Sequence, residues 1–300
     1  MSSLIEVTEY TDAQCPWAWS AEPMKWRLRW LYGESLEWRT RMIVLASSSD
    51  LYASRGYTAE QMAAGFEMFA NRYGMPLSGE PRPRLGATRP AAKAFVAARL
   101  HGSTPELSER LLRRLRVHAM TNPTAMLEED ETIFAAASEC GIDPAVLERW
   151  LADPAVEHAL VDDMNAARTV SSAGAALSYK LARSNEDSSR WRYTAPSLVF
   201  TRISDRNAIE TPGFQPSLAY EVAVANLEPE IPRRELPTSV AELLEWAGEP
   251  LATQEVAEVL GIARDAARDQ LAEAADVNEL PTASDAFWAH ESVALPAAIA

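Results

Sequence analysis

Tyr10-Thr-Asp-Ala-Gln-Cys15-Pro16-Trp17-Ala18-Trp19 decides the reading of this chain, because it places a thiol where an apolar strand ends and an amphipathic helix begins. Upstream, Ile5 to Thr8 alternate apolar and polar as a half-buried strand does. Downstream, Pro16 suits the first helical turn, where its missing N–H costs nothing. A sulfur at such a junction faces helix N-terminal N–H groups and the positive end of the helix dipole, which favours thiolate over thiol. The expectation is a nucleophilic Cys15 with a pKa below that of a free cysteine. Cys140, at the apolar end of a helix stopped by Gly141, reads as a packing residue.

Working outward, Leu4 to Tyr10 reads as a strand, Pro16 to Tyr32 as one helix and Leu36 to Leu45 as a second strand. Five of the nine tryptophans fall between Trp17 and Trp38, mostly to pack this helix on its sheet. Trp17 and Trp19 flank the thiol and are expected to wall a flat or apolar site. From Ala59 to about Ala176 the pattern is helical throughout, with Thr104-Pro105, Asp143-Pro144 and Asp153-Pro154 as caps. The polar run Ser184 to Arg190 reads as a solvated loop. Ser197 to Ile203 and Ala208 to Glu210 form a strand pair, and a helix then ends near Leu227. Glu228 to Pro237 is a proline- and charge-rich linker, followed by three short helices at Ser239–Ala247, Thr253–Leu260 and Arg264–Ala274.

Cys15-Pro16-Trp17-Ala18-Trp19, the long helical middle and the downstream Thr194-Ala195-Pro196-Ser197-Leu198-Val199-Phe200 together resemble the DsbA/FrnE-like branch of the thioredoxin superfamily. That branch includes 2-hydroxychromene-2-carboxylate isomerases and kappa-class glutathione transferases. The resemblance implies an α/β, thioredoxin-like fold built from residues 1–58 and 184–228, with an all-helical insertion at 59–183 that roofs the site. It implies a cis Pro196 opposite the sulfur, and backbone at Ala195 and Pro196 that holds a thiol compound. Residues 237–300 are similar to a degenerate winged-helix unit made of helices. The chain departs from the dithiol members at Ala18, which stands where their second cysteine would be, so a local dithiol/disulfide cycle has no resolving thiol. Cys15 is then the catalytic candidate, with Pro16, Trp17, Ala18, Trp19, Ala195 and Pro196 as substrate- or cofactor-binding candidates.

Two chemistries fit: monothiol exchange at Cys15, or addition of a bound low-molecular-weight thiol, glutathione or mycothiol, to an electrophilic small molecule. A third reading, of another class, is a non-enzymatic adaptor or scaffold like the ClpXP adaptors of the same branch. Two cysteines more than a hundred residues apart make no disulfide framework, and Met1 to Val7 lacks the pattern of an export signal, so the expected compartment is the cytoplasm. No apolar run is long enough for a membrane span. The net charge of −15 argues against nucleic acid. From Glu228 onward, fifteen acidic residues face four arginines and no lysine, which makes a protein contact or a homodimer the expected role of the acidic end. The four histidines have no metal-ligand spacing, so no metal is expected; His118 reads as a satisfied helical residue.

Overall fold

The computed structural model describes residues 3–183, 189–282 and 284–293. β1 (Ile5–Thr11) alternates its side chains, so Ile5, Val7, Glu9 and Thr11 share one face of the sheet. α1 (Pro16–Ser20) and α2 (Glu22–Tyr32) follow, and β2 (Leu36–Met42) returns parallel to β1. The single helix expected from Pro16 to Tyr32 is broken at Ala21: Pro23 has no N–H for the carbonyl of residue 19, and its ring crowds that oxygen.

The insertion consists of α3 (Asp50–Ala53), α4 (Ala59–Tyr73), α5 (Arg89–His101), α6 (Pro105–Thr121), α7 (Asp130–Glu139), α8 (Pro144–Leu151), α9 (Pro154–Ala167) and α10 (Ser172–Ala176). Asp143 and Asp153 cap α8 and α9 by accepting the first-turn amides of Ala145 and Ala155 at 2.8 and 2.9 Å. The short pair β3 (Ala182–Arg183) and β4 (Trp191–Arg192) flanks the polar run from Ser184, of which residues 184–188 lie outside the described residues. β5 (Ser197–Arg202) then pairs antiparallel with β1, β6 (Ala208–Thr211) pairs antiparallel with β5, and α11 (Ser217–Leu227) packs back on the sheet. The order β2-β1-β5-β6 joins a parallel βαβ half to an antiparallel ββα half. This is the thioredoxin-like α/β fold, with the helical insertion between its halves.

The C-terminal segment adds strands to the three helices expected of it. α12 (Val240–Ala247), α13 (Thr253–Leu260) and α14 (Arg264–Glu273) are joined by a three-stranded sheet of β7 (Leu251–Ala252), β9 (Ala286–His290) and β8 (Val277–Pro281), in that order. Nor does the segment stand apart. Leu243, Val256, Val259, Leu271 and Trp288 belong to the same apolar core as Ile5, Val7, Leu31 and Phe200. Trp246 meets the rings of Trp26 and Trp30 edge-on, and Arg234 lies 3.5 Å over Trp30.

Buried charge completes the join. Glu9 of β1 pairs with Lys25 of α2 at 2.5 Å and with Arg116 of α6 at 3.2 Å. Burial acts to raise the Glu9 carboxyl, but Lys25 and Arg116 outweigh it and hold the pKa at about 2. One turn earlier on α6, Arg113 grips Glu255 of α13 with two 2.7 Å hydrogen bonds. α6 thereby ties the sheet, α2 and the C-terminal segment together.

Candidate functional site

The turn after β1 is set by a buried carboxylate. Asp12 accepts hydrogen bonds from the amides of Gln14 (2.9 Å) and Leu45 (2.8 Å) and from the Thr88 hydroxyl (2.7 Å). It therefore fixes the strand-to-helix turn against the segment after β2 and the start of α5. Cys15 emerges from this turn as the N-cap of α1, with φ −85° and ψ 116°, and its carbonyl accepts the Trp19 amide at 3.0 Å.

The sulfur does face the first-turn amides, as expected: N–H groups of Ala18 and Trp17 act to lower its pKa. Yet the thiol is only 4% exposed, packed among Tyr10, Ala18, Ile43, Leu45, Ala167 and Ala195, and it donates to the Ala195 carbonyl at 3.3 Å. Burial is the largest influence and Asp12 adds to it, so the thiol is pushed up to about 11. The expected depressed pKa is thus corrected. Loss of hydration outweighs two amide dipoles when the charged form has nowhere wet to sit.

The Ala195–Pro196 bond is cis, and Ala195 is buried against the sulfur with its carbonyl taken up by the thiol. Pro16 and Ala18 sit where the sequence put them, Ala18 buried in the Cys15 cluster. The two tryptophans part company. Trp17 is 40% exposed and leans edge-on against Phe69 (4.7 Å), with Tyr73 and Phe214 each 5.5 Å away. Trp19 is fully buried on the opposite side: its Nε1 donates to the Pro76 carbonyl at 2.7 Å, and the Arg113 guanidinium lies 4.9 Å over its ring. The expectation that both wall the thiol fails for Trp19, because residues two apart on a helix point to different faces.

A hollow of about 410 Å³ lies against Pro16, lined by Tyr57, Met62, Phe66 and Phe69 among others. Sequence reasoning missed Asp12, Tyr52 and Arg192 around the sulfur. Burial, then Asp12 and Cys15, raises the Tyr52 hydroxyl well above its usual value. Burial and the neighbouring Arg168 lower the Arg192 guanidinium. The acid that follows an apolar strand, three residues before the helix N-cap, was a usable signal for Asp12; nothing local marks the other two. Away from this site, Cys140 is buried in the helical core, and His118 hydrogen bonds Glu139 at 3.0 Å.

A thiol at the N-cap of the first helix, a cis-proline carbonyl partner and a helical insertion between the halves of the sheet define a thioredoxin-fold protein of the DsbA type. The chain belongs to the DSBA-like thioredoxin domain family, whose pattern matches residues 6–175. Among curated proteins it is similar to the ClpXP adapter protein SpxH of Halalkalibacterium halodurans, 26% identical over 279 residues that cover 89% of this chain and 81% of that one. Among solved structures it resembles a candidate protein disulfide isomerase from Nitrosomonas europaea, with TM-score 0.56 and 16% identity over 75% of this chain and 97% of that one. It also resembles a DsbA oxidoreductase candidate from Streptomyces coelicolor, with TM-score 0.53 and 19% identity over 78% and 94% of the two chains.

Proposed function

We propose that this chain is a polypeptide-binding, adaptor-type member of the family, working in a reducing compartment, with the face around Trp17 as its contact surface. One observation carries the reading: the thiol that would do chemistry is buried and held protonated, while Trp17 beside it stands 40% exposed next to an aromatic- and methionine-lined hollow. Exposed aromatic clusters of this kind mark contact surfaces for macromolecules. Met62, which lines this hollow, is a side chain that adapts to varied partners. The likeness to a protein named as a ClpXP adapter supports the same reading.

A second reading, monothiol exchange at Cys15, is favoured by the two amide N–H groups on the sulfur. It requires movement of the cover formed by Tyr10, Ile43 and Leu45, after which a partner thiol, or glutathione or mycothiol, would meet a hydrated Cys15.

Binding of a reduced, carboxymethylated, permanently unfolded protein, followed by fluorescence anisotropy, separates the two. With no free thiol in the probe, Cys15→Ser is expected to bind within about twofold of the parent, whereas Trp17→Ala is expected to bind roughly tenfold more weakly or worse. If Cys15→Ser loses binding and Trp17→Ala keeps it, the adaptor reading is wrong.

A further inference from the structure

Between α1, the C-terminal end of α4 and the C-terminal segment lies a cavity of about 390 Å³, within the size range of small-molecule sites. In a chain of net charge −15, its wall contains two arginines and no carboxylate. Its polar side chains are Ser20, Asn71, Arg72, Tyr73, Gln254 and Arg264. Among the described residues, none of the six makes a side-chain hydrogen bond or an ion pair, although most arginines of this protein are tied to a carboxylate. Ser20 is the sharpest case, because it is 1% exposed and its hydroxyl has no partner at all. A buried, unsatisfied hydroxyl costs stability and calls for a partner the folded chain does not supply.

The cavity is built rather than incidental. Gly74 ends α4 at φ +77°, and a Cβ there would stand 2.5 Å from Gln254 Oε1 and 3.1 Å from Arg264 Nη1. The left-handed φ of Gly74 is one that other residues rarely adopt, and the turn it makes sets the end of α4 against the Gln254 and Arg264 side chains, so that Arg72 and Arg264 line one opening. Arg264 is also the first residue of α14. On the other wall, the rings of Tyr73 and Phe214 lie 5.1 Å apart at 54°.

We propose that this cavity binds a low-molecular-weight oxyanion, a carboxylate or a phosphate ester carried on a flat apolar body. The guanidiniums match the planar, bidentate geometry of such anions, the Asn71 and Gln254 amides and, once its side chain turns into the cavity, the Ser20 hydroxyl complete its hydrogen bonds, and the Tyr73 and Phe214 rings take the body. The site is distinct from Cys15, and it is coupled to the contact face, because Trp17 touches both Tyr73 and Phe214. A bound anion would join all three segments around the cavity and so stabilise the fold by mass action.

Phenyl phosphate, benzoate, inorganic phosphate and benzyl alcohol, added to the full chain and followed by Trp fluorescence and thermal unfolding, test this. Saturable binding with a raised Tm is expected for phenyl phosphate or benzoate, weaker binding for inorganic phosphate and none for benzyl alcohol. Arg72→Gln and Arg264→Gln are each expected to weaken binding at least about tenfold, while Arg149→Gln, an exposed arginine elsewhere, leaves it unchanged. Ser20→Ala should keep or raise the Tm of the free protein and yet weaken the anion. Failure of both aromatic anions to saturate, or undiminished binding in the Arg72→Gln/Arg264→Gln double variant, would overturn the proposal. Neither result bears on the polypeptide test at Trp17, which uses a different probe.

Discussion

Glu255→Gln is expected to destabilise the protein by about 3 to 5 kcal/mol, the cost of leaving one member of a buried ion pair uncompensated. The Arg113–Glu255 pair is bidentate at 2.7 Å, both side chains are almost fully buried, and Glu255 also accepts the Ala252 amide at 2.7 Å. Arg113 Nε makes no hydrogen bond, and without Glu255 the guanidinium keeps only the Pro250 carbonyl, 3.3 Å from Nη2, as a hydrogen-bond partner. Glu22 and Glu249 lie 3.6 and 3.9 Å from it, which softens the loss without restoring the lost geometry. Urea denaturation of the single variant and of Arg113→Met/Glu255→Met measures this. The double variant should recover much of the loss, since two apolar side chains replace a buried pair at little net cost. A single variant within about 0.5 kcal/mol of the parent would mean that the C-terminal segment is held by its apolar contacts alone.

The second large effect is a gain. Ala18→Cys is expected to give a protein whose introduced thiol forms an intramolecular disulfide with Cys15 under mild oxidation. That protein is expected to oxidise a reduced, unfolded substrate when the cover over Cys15 opens, and the parent, with no resolving thiol at this turn, is expected not to. Ala18 is buried in the same small cluster as Cys15, one helical turn along α1, so the new thiol would stand beside the old one. It would also supply the resolving thiol whose absence rules out a local dithiol cycle. Thiol titration and intact mass after oxidation read the outcome. Two free thiols at this turn in the variant after the same oxidation would show that the turn is not built for dithiol chemistry.

Much of the architecture was legible in the sequence because it is written locally. The Cys15-Pro16 junction, both halves of the sheet, the proline-capped insertion helices and the three C-terminal helices all follow from periodicity and capping signals that a short window contains. What escaped depends on the rest of the chain, with one exception: Pro23 stands in plain view inside the predicted helix, and its helix-breaking geometry is itself a local signal. β9 was missed because Ala286 to Ala289 are buried on both sides, so no alternation marks them as a strand. The direction of Trp19 follows from helical spacing once the helix is known, but its partners, Pro76 and Phe287, come from distant segments. The raised pKa of Cys15 could not be read from its own turn, because the residues that dry the sulfur come from β1, the segment after β2, α9 and the loop before β5. Charge at α6 was likewise unreadable: Arg113 and Arg116 look like solvent-facing residues until the strand, helix and C-terminal carboxylates close around them.

The central claim is that the Cys15 thiol is sealed and protonated at neutral pH, so that the surface around Trp17, and not a thiolate, does the work. Alkylation of the native protein by iodoacetamide across a pH series, quantified at Cys15 by peptide mass, tests it most directly. The account predicts a midpoint near 11 and a neutral-pH rate below that of free cysteine. A midpoint at or below the free-cysteine value of about 8.5 would contradict it and return Cys15 to the role of nucleophile.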